Sequence, residues 1–142
     1  MRKQRLVLLL LIVVAIPLSL DAQTRFGVRA GITDGDPMIG TDIMVPLRNG
    51  FVLNPNVEFT TNLFMANADA HYDIRLNERT DIWFGAGLAF IKPSGDDYEG
   101  GVSLLAGAGA RRSRWYPYGQ ARVTSAGGDL GTIVSVAGGI RF

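Results

Sequence analysis

Residues 51–75 read FVLNPNVEFTTNLFMANADAHYDIR. Phe51, Leu53, Pro55, Val57 and Phe59 share one parity, and Val52, Asn54, Asn56 and Glu58 share the other. After residues 60–62 the alternation restarts. Phe64, Ala66, Ala68, Ala70, Tyr72 and Ile74 stand against Met65, Asn67, Asp69, His71, Asp73 and Arg75. A period of two marks strands with unlike faces, and a short polar break between two such runs marks a hairpin. One parity here is apolar and aromatic. The other mixes charges and amides.

The same pattern extends in both directions. Ile82, Phe84, Ala86, Leu88 and Phe90 alternate with Trp83, Gly85, Gly87 and Ala89, and Val134, Val136, Gly138, Ile140 and Phe142 alternate with Ile133, Ser135, Ala137, Gly139 and Arg141. Turn residues at 34–37, 48–50, 77–80, 93–101, 111–114 and 125–131 cut the chain further. Eight strands are expected, near 25–33, 38–46, 51–60, 63–75, 81–91, 101–110, 115–124 and 131–142. Gly107-Ala108-Gly109 resembles a dinucleotide loop only superficially, because no helix follows it. It reads as strand.

Ahead of this region, Arg2, Lys3 and Arg5 precede an apolar run at 6–20, followed by Asp21 and Ala22. That is the layout of a secretory signal peptide, and the run is short against the roughly 20 apolar residues of a spanning helix. Residues 1–22 are read as the signal and 23–142 as a single domain. Setting aside Arg2, Lys3, Arg5 and Asp21, eleven basic and twelve acidic residues remain. No basic footprint for nucleic acid exists. The absence of cysteine excludes disulfides, thiolate metal sites and a lipoprotein anchor.

Eight alternating strands close either as a soluble barrel with the apolar face inside or as a membrane barrel with it outside. Three features favour the second. The polar face is rich in glycine (Gly27, Gly31, Gly40, Gly85, Gly87, Gly107, Gly109), which suits a crowded lumen better than an open surface. The aromatics of the apolar face collect at strand ends: Phe51 to Phe59 and Phe64 to Tyr72 are each eight residue steps apart. That span rises about 20 Å at ~3.3 Å per residue and a tilt near 40°, close to the apolar band between two aromatic girdles. Lastly, Phe142 stands in phase with Ile140, Val136 and Val134.

This closing strand resembles the C-terminal assembly signal of bacterial outer-membrane barrels, carried here by Val136, Ile140 and Phe142. Residues 23–142 are similar to the small eight-stranded class that includes OmpX and the OmpA transmembrane domain, and the segment from Trp115 to Arg122 looks like one common in that class. The expected fold is therefore an all-β, eight-stranded, antiparallel up-and-down transmembrane barrel. The resemblance implies outer-membrane lipid as surroundings, with the Sec translocon, signal peptidase and the β-barrel assembly machinery as partners in biogenesis. It implies no cofactor. The alternative is a soluble periplasmic or secreted barrel holding a small apolar ligand.

No catalytic, cofactor or metal constellation stands out. His71, the sole histidine, lies between Asp69 and Asp73 in the inward phase and reads as part of a lumen network. Members of the resembled family that edit lipid A need a histidine at the outer, lipid-facing rim, and neither coordinate fits His71. Trp83, Tyr116 and Tyr118 read as filling space that the glycines leave. The lumen charges are Arg29, Arg75, Arg122 and Arg141 with Asp42, Glu58, Asp69 and Asp73, and in a narrow barrel they need partners. Arg29 with Asp42, and Asp73 with Arg141, are the expected pairs. With the termini on the periplasmic side, Asp34, Asp36, Asp96, Asp97, Glu99 and Asp129 gather at the outer rim. They read either as solvated loops or as a surface meeting lipopolysaccharide through divalent cations.

Overall fold

The computed structural model describes residues 24–112 and 114–142. The expected signal segment, 1–22, lies outside the described residues. The rest is one closed barrel in which every strand pairs with its sequence neighbours: β1 (Arg25–Thr33), β2 (Asp36–Pro46), β3 (Phe51–Phe59), β4 (Leu63–Arg75), β5 (Thr80–Pro93), β6 (Glu99–Ala110), β7 (Tyr116–Ala126) and β8 (Thr132–Arg141). Antiparallel pairing of β1 with β8, from Gly27↔Arg141 to Thr33↔Ser135, shuts the ring. Closure leaves no sheet edge. The three turns 47–50, 76–79 and 111–115 lie at one end, called here the lower rim, and four loops of two to five residues lie at the upper rim.

Tight connections follow from local chemistry. Asp34 and Gly35 both take positive φ (49° and 88°), the two-residue hairpin turn that matches strand twist. At the lower rim Asn49 and Gly50 do the same (62° and 82°). Pro37 and Pro93 read as breakers in the sequence yet lie inside strands. The β2–β3 ladder starts only at Ile39 and the β5–β6 ladder ends at Ile91, so each proline sits where one neighbour has run out.

Pro55 is different, because β3 is paired on both sides. The β2–β3 ladder is interrupted between Asp42↔Asn56 and Val45↔Leu53, the stretch that contains Pro55. Ile43 lies opposite Pro55 in that register, and the proline has no N–H to offer. The side chain of Asn54 supplies the missing donor: its Nδ2 donates to Ile43 O at 2.9 Å and to Asp42 Oδ2 at 2.9 Å. A lumen residue thus repairs the wall.

Burial is inverted relative to a water-soluble protein. Ile39, Leu104 and Phe142 are 64–68% exposed, whereas Arg122 and Arg141 are 2% and 0% exposed. A soluble barrel with an apolar interior requires the reverse, so the apolar face is the outer one. Two belts of rings edge it. Phe51 meets Tyr72 edge-on at 5.2 Å and Tyr72 lies 6.4 Å from Phe84 near the lower rim, while Phe59 and Phe64 meet at 5.0 Å near the upper.

Asn54→Ala should lower stability by about 1–3 kcal/mol in urea titration of the refolded barrel, the cost of a buried acceptor left unpaired. In a Pro55→Ala background, which restores the backbone donor, the same substitution should cost measurably less.

Candidate functional site

The lumen holds the polar chemistry and divides into three levels. The upper level is apolar: Met65, Ala89, Ile91 and Ile133 form a cluster with Leu63, Ala126 and Leu130 packed against it. Just beneath, Ser103 and Thr124 share a hydrogen bond at 2.8 Å, and Thr33 donates to Ser135 at 3.0 Å.

The middle level is an ion network running from wall to wall. Arg29 on β1 donates to Glu58 and Asn56 on β3. Arg122 on β7 reaches across to the same Glu58 oxygen at 3.0 Å and also donates to Asp69 on β4. Asn56 donates to Asp69 at 2.7 Å, and Asn67 donates to Asn56 at 2.8 Å. All six side chains are buried.

In the lower level the Arg141 guanidinium lies 3.9 Å from the Tyr118 ring centre, 5.6 Å from that of Trp83 and 6.0 Å from that of Tyr116. Its Nε donates to Asp42 Oδ2 at 2.8 Å, with Nη2 at 2.6 Å from the same oxygen. Glycines make the room. A Cβ on Gly107 would stand 2.5 Å from Trp83 Cε2, and one on Gly139 would stand 2.6 Å from Tyr118 Cε1.

The expected pairs change partners, for one geometric reason. Asp42 and Arg141 both face Gly27, from β2 and β8. With no side chain between them they join over the glycine. Arg29 faces Gly40, which faces Glu58, so Arg29 reaches over Gly40 instead of meeting Asp42. Asp73 does not meet Arg141. It accepts the contact of His71 Nδ1 at 2.8 Å. Arg75 is not a lumen residue: it ends β4 at the lower rim, exposed.

Sequence reading left Asp81 out of the lumen charges, although it opens the expected strand 81–91. It begins the inward parity of β5, in phase with Trp83, and is buried. Arg111 Nε donates to Asp81 at 2.6 Å, and Tyr116 donates to it at 3.3 Å. That hydrogen bond raises the Arg111 guanidinium above its ordinary value, with desolvation opposing. The parity of Trp83 was the available clue. Asn54, Asn56, Asn67 and Gln120 were equally legible by phase but carry no charge to draw notice; Gln120 accepts from Trp83 Nε1 at 3.3 Å.

His71 is 2% exposed, and its ring centre lies 5.6 Å from that of Trp83. Val136 and Phe142 are exposed on the outer face and Ile140 is partly buried there. The Phe142 N–H donates to Phe26 O at 2.8 Å. At the upper rim, Asp34 accepts from the Val134 N–H at 2.8 Å and Asp36 accepts from Asn62 at 2.7 Å, so both serve loop geometry. Among the described residues no three potential metal ligands cluster.

No family model and no curated protein matches the chain. Solved structures do match. The N-terminal β-barrel domain of Pseudomonas aeruginosa OprF superposes with a TM-score of 0.67 at 14% identity, over 84% of this chain and 96% of that one. Neisserial surface protein A gives 0.61 at 13% identity, over 83% and 92%. The outer-membrane enzyme PagL gives 0.57 at 11% identity, over 83% and 98%. The chain has the fold of the small eight-stranded outer-membrane β-barrels.

Asp42→Ala strands Arg141 in the lumen and should cost about 3–5 kcal/mol, measured by chemical unfolding. Adding Arg141→Ala should cost little more, because the pair acts as a unit. Gly27→Ala, which places a methyl 2.8 Å from Arg141 Cγ and against Asp42, should cost about 1–3 kcal/mol.

Proposed function

We propose that this chain is a non-enzymatic barrel of the bacterial outer membrane, with a filled lumen and a structural or surface-interaction role. The termini and the three turns face the periplasm in this reading, and export through the Sec translocon and insertion by the β-barrel assembly machinery belong to it. The carrying observation is the lumen itself. Three arginines (Arg29, Arg122, Arg141) and three acids (Asp42, Glu58, Asp69) pair inside it, beneath an apolar plug, with Arg141 and Asp42 set among the rings of the lower level. Eight strands enclose a space that side chains roughly fill.

A pore would keep such charges hydrated and free to meet ions. Here each lies buried in an ion pair with another. The non-enzymatic reading rests on His71, whose side chain packs inside against Trp83, away from any lipid-facing rim. Short upper loops favour a modest contact surface over a large adhesive one.

Planar-bilayer recording tests the closed lumen: the refolded barrel should add no steady conductance, and discrete, reproducible single-channel steps would overturn the reading. Asp42→Ala with Arg141→Ala, which removes the ion pair of the lower level, should raise the frequency of transient openings. For orientation, a cysteine introduced at position 97 should react with an impermeant label on intact cells, and one at position 79 only after the envelope is permeabilised.

A further inference from the structure

The two rims carry opposite charge. At the lower rim Arg48, Arg75, Arg79, Arg112 and Arg114 are exposed, and Glu78 is the one exposed acid there among the described residues. The neighbouring acids are engaged: Asp81 by Arg111 and Asp73 by His71. At the upper rim Asp34, Asp96, Asp97 and Asp129 are exposed. Lys92 is the base there, and its ammonium lies 5.4 Å from the Tyr98 ring centre. Nothing in a closed barrel requires this polarity.

The position of the lower arginines is restricted. The turns that bear them have four or five residues, so no guanidinium extends far past the strand ends. Arg114 precedes Trp115, Arg48 lies three residues before Phe51, and Arg75 lies three after Tyr72. Trp115, Phe51 and Tyr72 are exposed rings of the lower belt. Aromatic rings of this kind sit at headgroup depth, which puts the arginines among the phosphates just beyond. Guanidinium forks bind phosphate oxygens in pairs and hold a less tightly bound water shell than ammonium.

We infer that the exposed arginines of the lower rim bind the phosphates of anionic phospholipids in the leaflet this rim meets. The inference rests on the membrane-barrel reading above. It assigns to one end of the barrel a lipid class, where the fold alone assigns only hydrocarbon. A wall polymer bearing carboxylates fits less well, because the turns are too short to carry the guanidiniums beyond the headgroup layer.

Trp115 reports on the site directly, since Trp83 is enclosed in the lumen and out of reach of lipid. The barrel is refolded into mixed phosphatidylcholine and phosphatidylglycerol vesicles in which one lipid and then the other carries brominated chains, and tryptophan quenching gives the relative affinity of the two lipids at the lower belt. The expected preference for phosphatidylglycerol is roughly threefold or more. It should fall towards unity in about 0.5 M salt, where surface charges are screened. The same loss is expected in a variant carrying Arg48→Gln, Arg79→Gln, Arg112→Gln and Arg114→Gln. Equal quenching by the two lipids overturns the inference, as does a preference that survives both salt and the four substitutions. Arginine-dependent sedimentation of the detergent-folded barrel with cell-wall sacculi, without a lipid preference, assigns the rim to the wall polymer and also overturns it. A heat-modifiable gel shift in pure phosphatidylcholine keeps the tests separate. Its absence means that the membrane-barrel reading itself has failed.

Discussion

Two of the ion pairs that brace this barrel depend on arginines that reach over glycines. Arg141 and Asp42 meet above Gly27, and Arg29 and Glu58 meet above Gly40. Each pair spans three strands, because the strand between them offers no side chain at that level. The constraint is strict. A charge enclosed by protein and lipid costs several kcal/mol without a partner, and strand spacing of about 4.8 Å means that a side chain two strands away is reached only if the middle position is empty. Glycine on the inward phase is therefore a requirement of the charge network. Losing one such glycine and losing one such charge damage the same bond.

The network also ties the barrel shut. Asp42 on β2 and Arg141 on β8 lie on either side of β1, so their ion pair bridges the seam where the first and last strands join. Arg122 on β7 holds Glu58 and Asp69 on β3 and β4, across the full width of the lumen. Backbone ladders give the wall its continuity, and these side chains brace it from within. Asn54 works in both systems, bonding the wall at Ile43 and the network at Asp42.

The outer surface follows a simpler rule. In the membrane-barrel reading, apolar side chains face outward because lipid surrounds them, and rings gather where hydrocarbon gives way to headgroups. The fold is shared with a surface protein and with an outer-membrane enzyme. Shared architecture thus leaves the role open, and the exposed apolar face is what separates this chain from soluble barrels.

Parity and turn residues in the sequence were enough to count eight strands, place nearly all their boundaries, and sort inward from outward side chains. These are local properties: alternation is set by the geometry of each strand, and a turn such as Asp34-Gly35 by its own φ angles. Boundaries slipped at Pro37 and Pro93, where the tolerance for proline depends on whether a neighbouring strand is still alongside. Asp81 was missed because a charge beside a turn reads as part of the turn unless its phase with Trp83 is followed. The ion pairs were beyond sequence reading altogether. Arg29 and Asp42 share a hairpin and look like partners, yet register sets Asp42 opposite Gly27, and barrel closure brings in Arg141 from the far end of the chain. Composition said which charges had to be satisfied; only the closed ring, by fixing which glycines stand between them, decided how.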